Sequence, residues 1–369
     1  MIKIPNSGYK QSLFWGNETA YGSAGAINRS IGLVQSVNPT ETNSLMKIRT
    51  LGGTRDYSNI VPGKFEVTGS FDYFLQDGAF LRQGWSEDTG TTAVVDSGPR
   101  VHTGASYLHI MGSAASPTVD CFPSFTLEFS DDEGDCAGVD YSANNLYRLY
   151  DGCRVNSMTL SGTVDEAVKV SVDWQAQSVN VSTAGKSAVT ESTVDPYVFY
   201  QGVVYATTGD VTAYDVIESG ARLAEVNSFD VSVNNNLEPI WYISGTTSET
   251  QSLRGLKQLI PKGRDYESSL NLNFTDKTMY ERFLGAEGAT TDQGTLTSYN
   301  IVLDFVRSGA IGSDPKLETD DWMRVVLRNC LFNDINIAGA PEDLVSENIG
   351  VFVEASKLYV VDTSSSYSD

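Results

Sequence analysis

Residues that build catalytic and metal centres are scarce in this sequence. Its 369 residues include only two histidines, His102 and His109, and neither has a Cys or Asp at a recognised metal-ligand spacing. No phosphate-binding loop, dinucleotide-binding glycine pattern or nucleophile elbow occurs. The sequence therefore predicts no catalytic residue, no cofactor and no metal, and we expect a protein that is not an enzyme.

Cysteine is also rare, and its four copies are Cys121, Cys136, Cys153 and Cys330. Four cysteines are too few for a disulfide framework in a chain of this length, and none lies in a C-x-x-C pair. Cys121 and Cys136 are near enough in sequence to approach one another. A reducing compartment favours free thiols for both, although the sequence alone leaves their bonding open.

Long apolar runs are missing, because no segment approaches the roughly 20 apolar residues that span a bilayer. The opening residues, MIKIPN, lack the charged and apolar regions of a signal peptide. We therefore expect no membrane partner and synthesis in a cytoplasm.

Positive charge is low: 25 Lys and Arg stand against 47 Asp and Glu, giving a formal net charge of −22. An acid surplus opposes non-specific binding of nucleic acid, whose affinity comes mostly from cations that neutralise phosphates. It is compatible with a surface that lets nucleic acid slide past without sticking. Solubility, or a saline host in which acidic surfaces are usual, explains the charge equally well.

The acidic run at residues 130–135 resembles a calcium-binding loop superficially. It lacks the alternating D-x-D-x-D-G ligand pattern and the glutamate at the twelfth position, so a solvated hairpin tip is the better interpretation. Elsewhere acids are so numerous that nothing singles out a catalytic pair of carboxylates.

What the sequence has in abundance is β-forming residues in period-2 alternation, which indicates a mainly β fold. The pattern predicts strands over residues 65–73 and 125–129, and a strand–loop–strand unit over 155–174. Residues 197–205 predict a hairpin or a bulged strand bent at Gly202.

Helical signals are few. Residues 275–285 carry the best one, with Thr275 or Asp276 as a cap, apolar pairs four residues apart and Gly285 at the end. A weaker helix is predicted over residues 76–84. Two short helices among many strands favour β-sandwich or barrel domains, each with one flanking helix.

The chain also carries an internal repeat. Sliding the sequence along itself lays residues 54–81 over 253–280 without a gap, and we call this alignment the first shift. The matched positions include Arg55 with Arg254, Ile60-Val61-Pro62 with Leu259-Ile260-Pro261, Ser70 with Ser269, and Asp77 with Asp276.

A second, smaller shift matches the later parts of the two copies. It pairs Phe125, Leu127 and Phe129 with Ile301, Leu303 and Phe305, Cys153 with Cys330, Asn156 with Asn333, and Gly162 with Gly339. The change of shift means that the first copy carries an insertion, which we place at residues 89–116. We therefore predict two tandem β-domains. The first, residues 1–222, has an N-terminal arm, and the second, residues 223–369, has a flexible C-terminal tail.

Two matched segments, residues 50–64 and 245–263, are rich in Gly, Ser, Thr and Arg and end in apolar residues before proline. Such a segment either folds back on its own core or protrudes as an arm that buries its tip in a neighbouring subunit. Because both copies keep it, we favour the arm. The predicted contact residues are Arg55, Tyr57, Ile60, Val61, Pro62, Arg254, Leu259, Ile260 and Pro261.

The opening stretch GNETAYGS, residues 16–23, resembles the "G-x-E-T-x-Y-G-T" start of the tail tube proteins (major tail proteins) of long-tailed phages and archaeal tailed viruses. As in that family, a strand over residues 31–37 and an extended loop follow, and then a strand that runs into a helix. The segment DPYVFY, residues 195–200, resembles the family's "P-x-x-F" hairpin. The second copy departs from the pattern, because it has no recognisable "E-T-x-Y-G" start.

The resemblance implies β-sandwich subunits whose sheets join around rings, which stack into a hollow tail tube in the virion. The viral genome would pass through this tube. It also implies contacts with terminator and with baseplate or tip proteins at the tube ends. Because single-domain relatives build sixfold rings, a two-domain chain is expected to build trimeric rings of pseudo-sixfold symmetry.

Two other functions remain compatible with the composition. A tandem β-sandwich that binds carbohydrate, or acts in adhesion, would use some of the 18 tyrosines and 5 tryptophans as faces for sugar rings. An enzyme with dispersed carboxylates is the third alternative. Polymerisation into rings or tubes would favour the first function, a monomer that binds sugars the second, and turnover lost on mutating one acid the third.

Overall fold

The structure, a computed structural model, describes residues 11–51, 55–86, 92–93, 107–112, 122–131, 145–182, 186–213, 215, 217, 221–223, 226–242, 254–307, 321–339, 344–362, 364 and 367. Within these residues the fold is mainly β with two α-helices, as the alternation predicts. Cys121, Cys136, His102 and most of the acidic run at 130–135 lie outside the described residues.

The strands of the first half are β1 (Gln11–Asn17), β2 (Arg29–Ser30), β3 (Leu33–Ile48), β4 (Asn59–Phe74), β5 (Thr92–Ala93), β6 (Tyr107–Gly112), β7 (Phe125–Asp131), β8 (Leu146–Thr163), β9 (Lys169–Ala176) and β10 (Ser178–Val181). Those that follow are β11 (Gly202–Thr207), β12 (Arg222–Leu223), β13 (Val226–Asn234), β14 (Glu238–Ile240), β15 (Gln258–Ile260), β16 (Asp265–Asn273), β17 (Tyr299–Val306), β18 (Trp322–Ala338), β19 (Ser346–Val353) and β20 (Ala355–Asp362).

Strands from both halves of the chain form one continuous sheet, which we call the long sheet. Its antiparallel order is β3, β4, β9, the second half of β8, β13, β16, β19 and the second half of β18. The pairing of β8 with β13 joins the two halves of the chain. The first half thus supplies four neighbouring strands and the second half the next four.

Two short sheets cover one face of the long sheet. The first has the order β2, β1, β7, β8 and β10. The second has the order β12, β11, β17, β18, β20, β6 and β5. One hydrophobic core, with Trp15, Phe71 and Trp174 from the first half and Leu272 and Ile301 from the second, fills the space between the layers. The sheets are open, so the architecture is a sandwich and not a closed barrel.

Both predicted helices exist, but one of them is shorter than the sequence predicts. α2 (Thr278–Leu284) matches the prediction, and the Asp276 carboxylate accepts the Thr278 amide hydrogen bond at 2.7 Å. α1 (Arg82–Trp85) is shorter than the predicted 76–84, because residues 76–81 form turns. Within those turns Phe80 packs edge-on against Trp15 at 5.1 Å and Phe125 at 5.3 Å, which places it in the core.

Residues 197–205 also differ from the prediction. They form neither a hairpin nor a bulged strand. Val198 makes a single bridge to Ala167, a short 3₁₀ turn covers Phe199–Gln201, and β11 begins at Gly202. β11 then pairs with β17 of the second half.

The strand registers repeat between the halves. In the first half Phe71 of β4 lies opposite Val172 of β9, and in the second half Leu270 of β16 lies opposite Ile349 of β19. The first shift matches Phe71 with Leu270, and the second shift matches Val172 with Ile349. The match of Phe125 with Ile301 is off by two residues, because Phe125 lies opposite Cys153 whereas Tyr299 lies opposite Cys330.

Bulges repeat at the same positions. Between β8 and β9 the register shifts at Asn156, and between β18 and β19 it shifts at Asn333. Each long strand also turns just before its cysteine, where Gly152 has a φ of 65° and Asn329 a φ of 52°. Glycine and asparagine are the residues that best tolerate this left-handed conformation, so both halves bend their long strand by the same device.

One described strand of the predicted insertion pairs with the second half. β6, which lies inside the predicted insertion at 89–116, pairs along its whole length with β20. The C-terminal segment crosses in the opposite direction. Tyr367 is 1% exposed, its ring stacks on His109 at 3.6 Å, and its carbonyl accepts hydrogen bonds from Arg82 and Asn17. At Tyr367, therefore, the structure differs from the flexible tail that the sequence suggests.

Candidate assembly surfaces

The first matched segment belongs to a long hairpin, which we call the first arm (residues 43–65). It is built from the ends of β3 and β4 and the connection between them. Val61 and Pro62 lie on β4 opposite Met46 and Leu45, so this apolar stretch lies along the side of the arm and not at its tip. The matching residues on β3 were not among the predicted contacts, although the run Leu45-Met46-Lys47-Ile48 is equally apolar in the sequence.

Large apolar side chains on the first arm are exposed. They are Leu45 (56%), Met46 (54%), Ile48 (43%), Leu51 (106%), Tyr57 (43%) and Ile60 (52%). Since opposite residues of a hairpin share a face, Leu45, Lys47 and Ile60 lie on one face and Met46 and Ile48 on the other. A two-stranded ribbon that is apolar on both faces has no core of its own, and contiguous exposed apolar surface marks an interaction site.

Cations lie beside Tyr57 of the first arm. The Lys47 ammonium lies 5.2 Å and the Arg49 guanidinium 4.6 Å from the centre of the Tyr57 ring. Arg55 is exposed in the bend that precedes Tyr57. The predicted contact residues available at the surface are thus Arg55, Tyr57, Ile60 and Pro62, whereas Val61 is half-buried.

The second matched segment is shorter and partly folded back. β14 and β15, which are three residues long each, pair antiparallel. Residues 243–253, which lie between them in the sequence, are outside the described part. Leu259 is fully buried, and its carbonyl accepts a hydrogen bond from Arg154. Ile260 is 37% exposed and Pro261 is half-buried. Leu259 therefore follows the fold-back alternative, and Ile260 remains accessible.

The second matched segment contacts the base of the first arm. The Phe65 amide donates a hydrogen bond to the Arg254 carbonyl at 3.0 Å, and the Arg254 guanidinium donates to the Asn43 side chain. The Lys64 ammonium lies 3.9 Å from the centre of the Trp241 ring. The structure thus brings Arg254 beside the first arm, although it lies in the opposite half of the sequence from its counterpart Arg55.

The face of the long sheet that points away from the core is polar and acidic. Its acidic side chains are Glu66, Asp72, Asp173, Asp230, Asp265, Glu267 and Asp334. Lys169 lies on the same face and is bound to Asp72 at 3.2 Å. Hydroxyl and amide side chains fill the neighbouring positions, as where the Thr159 and Ser232 hydroxyls meet at 2.8 Å. We call this surface the polar face.

Titratable groups inside the fold link its two halves. The Tyr197 hydroxyl donates to the Asp321 carboxylate at 2.7 Å, and Arg307 binds the same carboxylate and the Gln76 carbonyl. Burial raises the pKa of Asp321 even though the Arg307 charge opposes the shift. The role of this cluster is to tie the turn before α1 to the second half.

The cysteines within the described residues offer no reactive thiol. Cys153 and Cys330 are both buried and unbonded. Burial raises the pKa of Cys153 well above its usual value and that of Cys330 to about 12, so both thiols stay protonated at neutral pH. A protonated buried thiol behaves as a small apolar side chain.

Two other kinds of site are absent from the described residues. They contain no group of three or more His, Cys, Asp or Glu side chains placed to hold a metal ion. They also include no helix with the length and apolar character needed to cross a membrane.

Comparison with known proteins gives one informative match. A family described as "Phage tail tube protein" matches residues 8–346, which is nearly the whole chain. No curated protein matches. Among solved structures, "Crystal structure of a Pseudomonas aeruginosa FadL homologue" is 6% identical with a TM-score of 0.10, and the alignment covers 88% of this chain and 63% of that chain. A similarity that low carries no argument about fold or function.

The family match agrees with the fold and the surfaces described above. The sandwich, the protruding arm and the resemblance at residues 16–23 all fit a structural protein of a virus tail. The chain belongs to the phage tail tube protein family.

Proposed function

We propose that this chain assembles with copies of itself into rings that stack to form the hollow tail tube, and that the viral genome passes through its lumen. One observation carries the proposal. The two halves lie side by side in one continuous sheet, with the same strand registers and the same bulges. A unit that already repeats laterally within one chain is suited to repeat between chains.

We infer that the two halves arose by duplication of one tail-tube domain. The sequence predicts one domain over residues 1–222 and another over residues 223–369. The strand pairing supports an earlier start for the second domain, since β11 and β12 pair with each other and β11 with β17. β11 then corresponds to β1, which makes the same kinds of pairing with β2 and β7.

Two domains per chain lead to three chains per ring if the ring keeps six domains. Such a ring has true threefold and approximate sixfold symmetry. Among the described residues the pairing of β6 with β20 is found once per chain, so it would give the ring three copies of a feature that the approximate symmetry does not repeat.

We assign the contacts between stacked rings to the first arm and the second matched segment. The first arm supplies Arg55, Tyr57, Ile60, Val61 and Pro62, and its exposed apolar side chains support this role. The second matched segment supplies Arg254, Leu259, Ile260 and Pro261. Arg254 would hold the base of the first arm, and the buried Leu259 would anchor the second matched segment. Ile260 would contact a neighbouring subunit directly.

The polar face is proposed to line the lumen. Its acidic side chains repel the phosphates of DNA, and the ammonium of Lys169 is engaged by Asp72. A wall that binds no phosphates releases no counterions when DNA enters, so DNA is not held. Terminator and baseplate or tip proteins are the expected partners at the tube ends, and the virion tail is the expected location after synthesis in the host cytoplasm.

Assembly of the purified protein tests the proposal. Electron microscopy is expected to show hollow tubes or rings, and mass measurement of dissociated rings is expected to give three chains. A ring of six chains would contradict the trimer. A stable monomer at high concentration that binds sugars, or a hydrolytic activity lost on mutating a single acid, would contradict the tube itself.

A further inference from the structure

The joint between β8 and β13 shows how two tail-tube units attach to each other within one chain. Leu160 of β8 lies opposite Val231 of β13, and Met158 lies opposite Val233. All four side chains are fully buried on the core side of the long sheet. On the polar face of the same joint, the Thr159 and Ser232 hydroxyls form a hydrogen bond.

The two ends of the long sheet are the counterparts of this joint. At one end β3 pairs only with β4 in the described part of the chain, and at the other end the second half of β18 pairs only with β19. The register identifies the equivalent residues. Val231 lies opposite Ser268, and Pro39 lies opposite Gly69, the residue that the first shift matches with Ser268.

Ile337 is the equivalent of Leu160 by the same reasoning, because the second shift pairs these two positions. Leu160 is fully buried, whereas Ile337 is 41% exposed. Ile335 is half-buried, although its counterpart Met158 is fully buried. The edge of β18 therefore exposes apolar side chains whose internal counterparts a neighbouring strand covers.

Polar details of the joint recur at the free edges as well. In the joint the Asn235 amide donates to the Asn156 carbonyl at 2.8 Å, and the Asn156 side chain accepts the Leu237 amide hydrogen bond at 3.1 Å. The counterpart of Asn156 is the bulge residue Asn333, and the counterpart of Asn235 is Asn43. Both edges thus retain the asparagine that the joint uses.

We propose that β3 of one subunit pairs antiparallel with the second half of β18 of the next subunit in the register of the β8–β13 joint. Pro39 then lies opposite Ile337, Thr40 opposite Asn336, and Glu41 opposite Ile335. This inference rests on the ring assembly proposed above and adds the strands, the register and the residues of the lateral contact.

The edge of β3 differs from β13 in a way that suits controlled pairing. Pro39 and Glu41 stand where Val231 and Val233 stand in the joint. Proline and an inward-pointing charge are devices that protect an edge strand from indiscriminate pairing. Glu41 is already held by the Tyr150 hydroxyl at 3.1 Å and by Arg148 at 3.7 Å, so its charge stays paired when the edge is covered.

Cysteine cross-linking of the assembled protein tests the register. In a background with Cys121 and Cys136 replaced by serine, the Thr40→Cys/Asn336→Cys variant is oxidised after assembly and examined on a non-reducing gel. Directly opposite residues approach closely enough for a disulfide, whereas diagonal neighbours about 7–8 Å apart do not. We expect most of the protein to move from the single-chain band to bands of disulfide-linked chains.

Two matched variants serve as controls. Thr159→Cys/Ser232→Cys places the same pair across the internal joint, so it should lose its free thiols without linking chains. Thr40→Cys/Ala338→Cys moves one cysteine two residues along β18 on the same face, so the two thiols are no longer opposite each other. This variant should remain in the single-chain band. Equal linking by the slipped pair overturns the register.

The outcomes separate this inference from the proposed ring. Rings seen by microscopy without cross-links at Thr40 and Asn336 overturn the lateral contact and leave the ring intact. A linked series that ends at three chains supports both. A series that extends to six chains supports the contact and contradicts the trimer, and a sample with neither rings nor links contradicts both.

Discussion

Glu347 occupies, in the second half of the chain, the core-facing position that Val170 occupies in the first. Val170 lies opposite Tyr73, and Glu347 lies opposite Leu272, the residue that matches Tyr73. Val170 is fully buried and Glu347 is 2% exposed. Among the described residues no hydrogen-bond donor reaches the Glu347 Oε1 atom, and burial raises the pKa of the carboxyl group.

The Glu347→Gln variant is expected to be more stable than the parent chain at neutral pH. A carboxyl whose pKa is raised on folding binds more protons in the folded state, so it lowers stability as pH rises above its unfolded pKa. The difference between variant and parent should therefore grow from pH 5 to pH 8, because the ionised carboxylate costs more to bury than the neutral amide does. Urea unfolding of unassembled subunits at both pH values measures it.

Glu267→Gln is the matched control for this pH dependence, because Glu267 lies on the polar face of the adjacent strand β16. Its substitution should change the free energy of unfolding by less than about 0.5 kcal/mol at either pH. A Glu347→Gln variant whose advantage is constant with pH would show that the carboxylate is not the destabilising group.

The C-terminal segment makes a second prediction through Tyr367. Tyr367→Ala removes a buried ring that stacks on His109 and should cost about 3–5 kcal/mol in the free energy of unfolding. Tyr367→Phe keeps the ring and loses only the hydrogen bond to the Asp362 carboxylate, so it should cost about 1.5–3 kcal/mol, less than Tyr367→Ala. Denaturant midpoints of both variants check the order. Parent-like stability of Tyr367→Ala would show that this segment is not part of the core.

How far the sequence predicts this protein can be judged from particular residues. The shifts that match Ser70 with Ser269 and Cys153 with Cys330 predict which strands occupy equivalent places in the two halves, because both halves keep the same core-facing alternation. The sequence could not predict that β6 crosses to β20, since a pairing between strands so far apart along the chain leaves no local periodicity. The sequence also indicates a tip and not a strand at Ile60, because the Pro62-Gly63 pair that follows is typical of a turn.

The polar face makes a prediction about DNA. The Asp230→Lys/Glu267→Lys variant places two ammonium groups on neighbouring strands of the proposed lumen. Tubes of this variant should retain double-stranded DNA at about 50 mM salt and release it near 200 mM, because lysine–phosphate contacts depend steeply on salt. Parent tubes should retain none at either concentration, as measured by co-sedimentation.

Charge reversal at another exposed site separates lumen binding from a general effect of charge. Glu287→Lys/Asp292→Lys changes the net charge by the same amount after α2, away from the polar face. These tubes should behave as the parent does. Equal retention of DNA by both variants would argue that the polar face does not line the lumen.

The first arm makes the last prediction, which concerns stacking. Leu45→Ser/Ile60→Ser removes two exposed apolar side chains from one face of the arm. Because neither side chain is buried in the subunit, the melting temperature should stay near that of the parent. If both are buried between rings, each contributes about 2 kcal/mol to stacking, so tube elongation should fail at concentrations that suffice for the parent. Single rings should persist, because the lateral edges are unchanged.

Leu296→Ser is the control for this prediction, because it alters a residue that is 50% exposed outside the first arm, and it should elongate normally. Tubes of normal length from the arm variant would remove the first arm from the ring-to-ring contact.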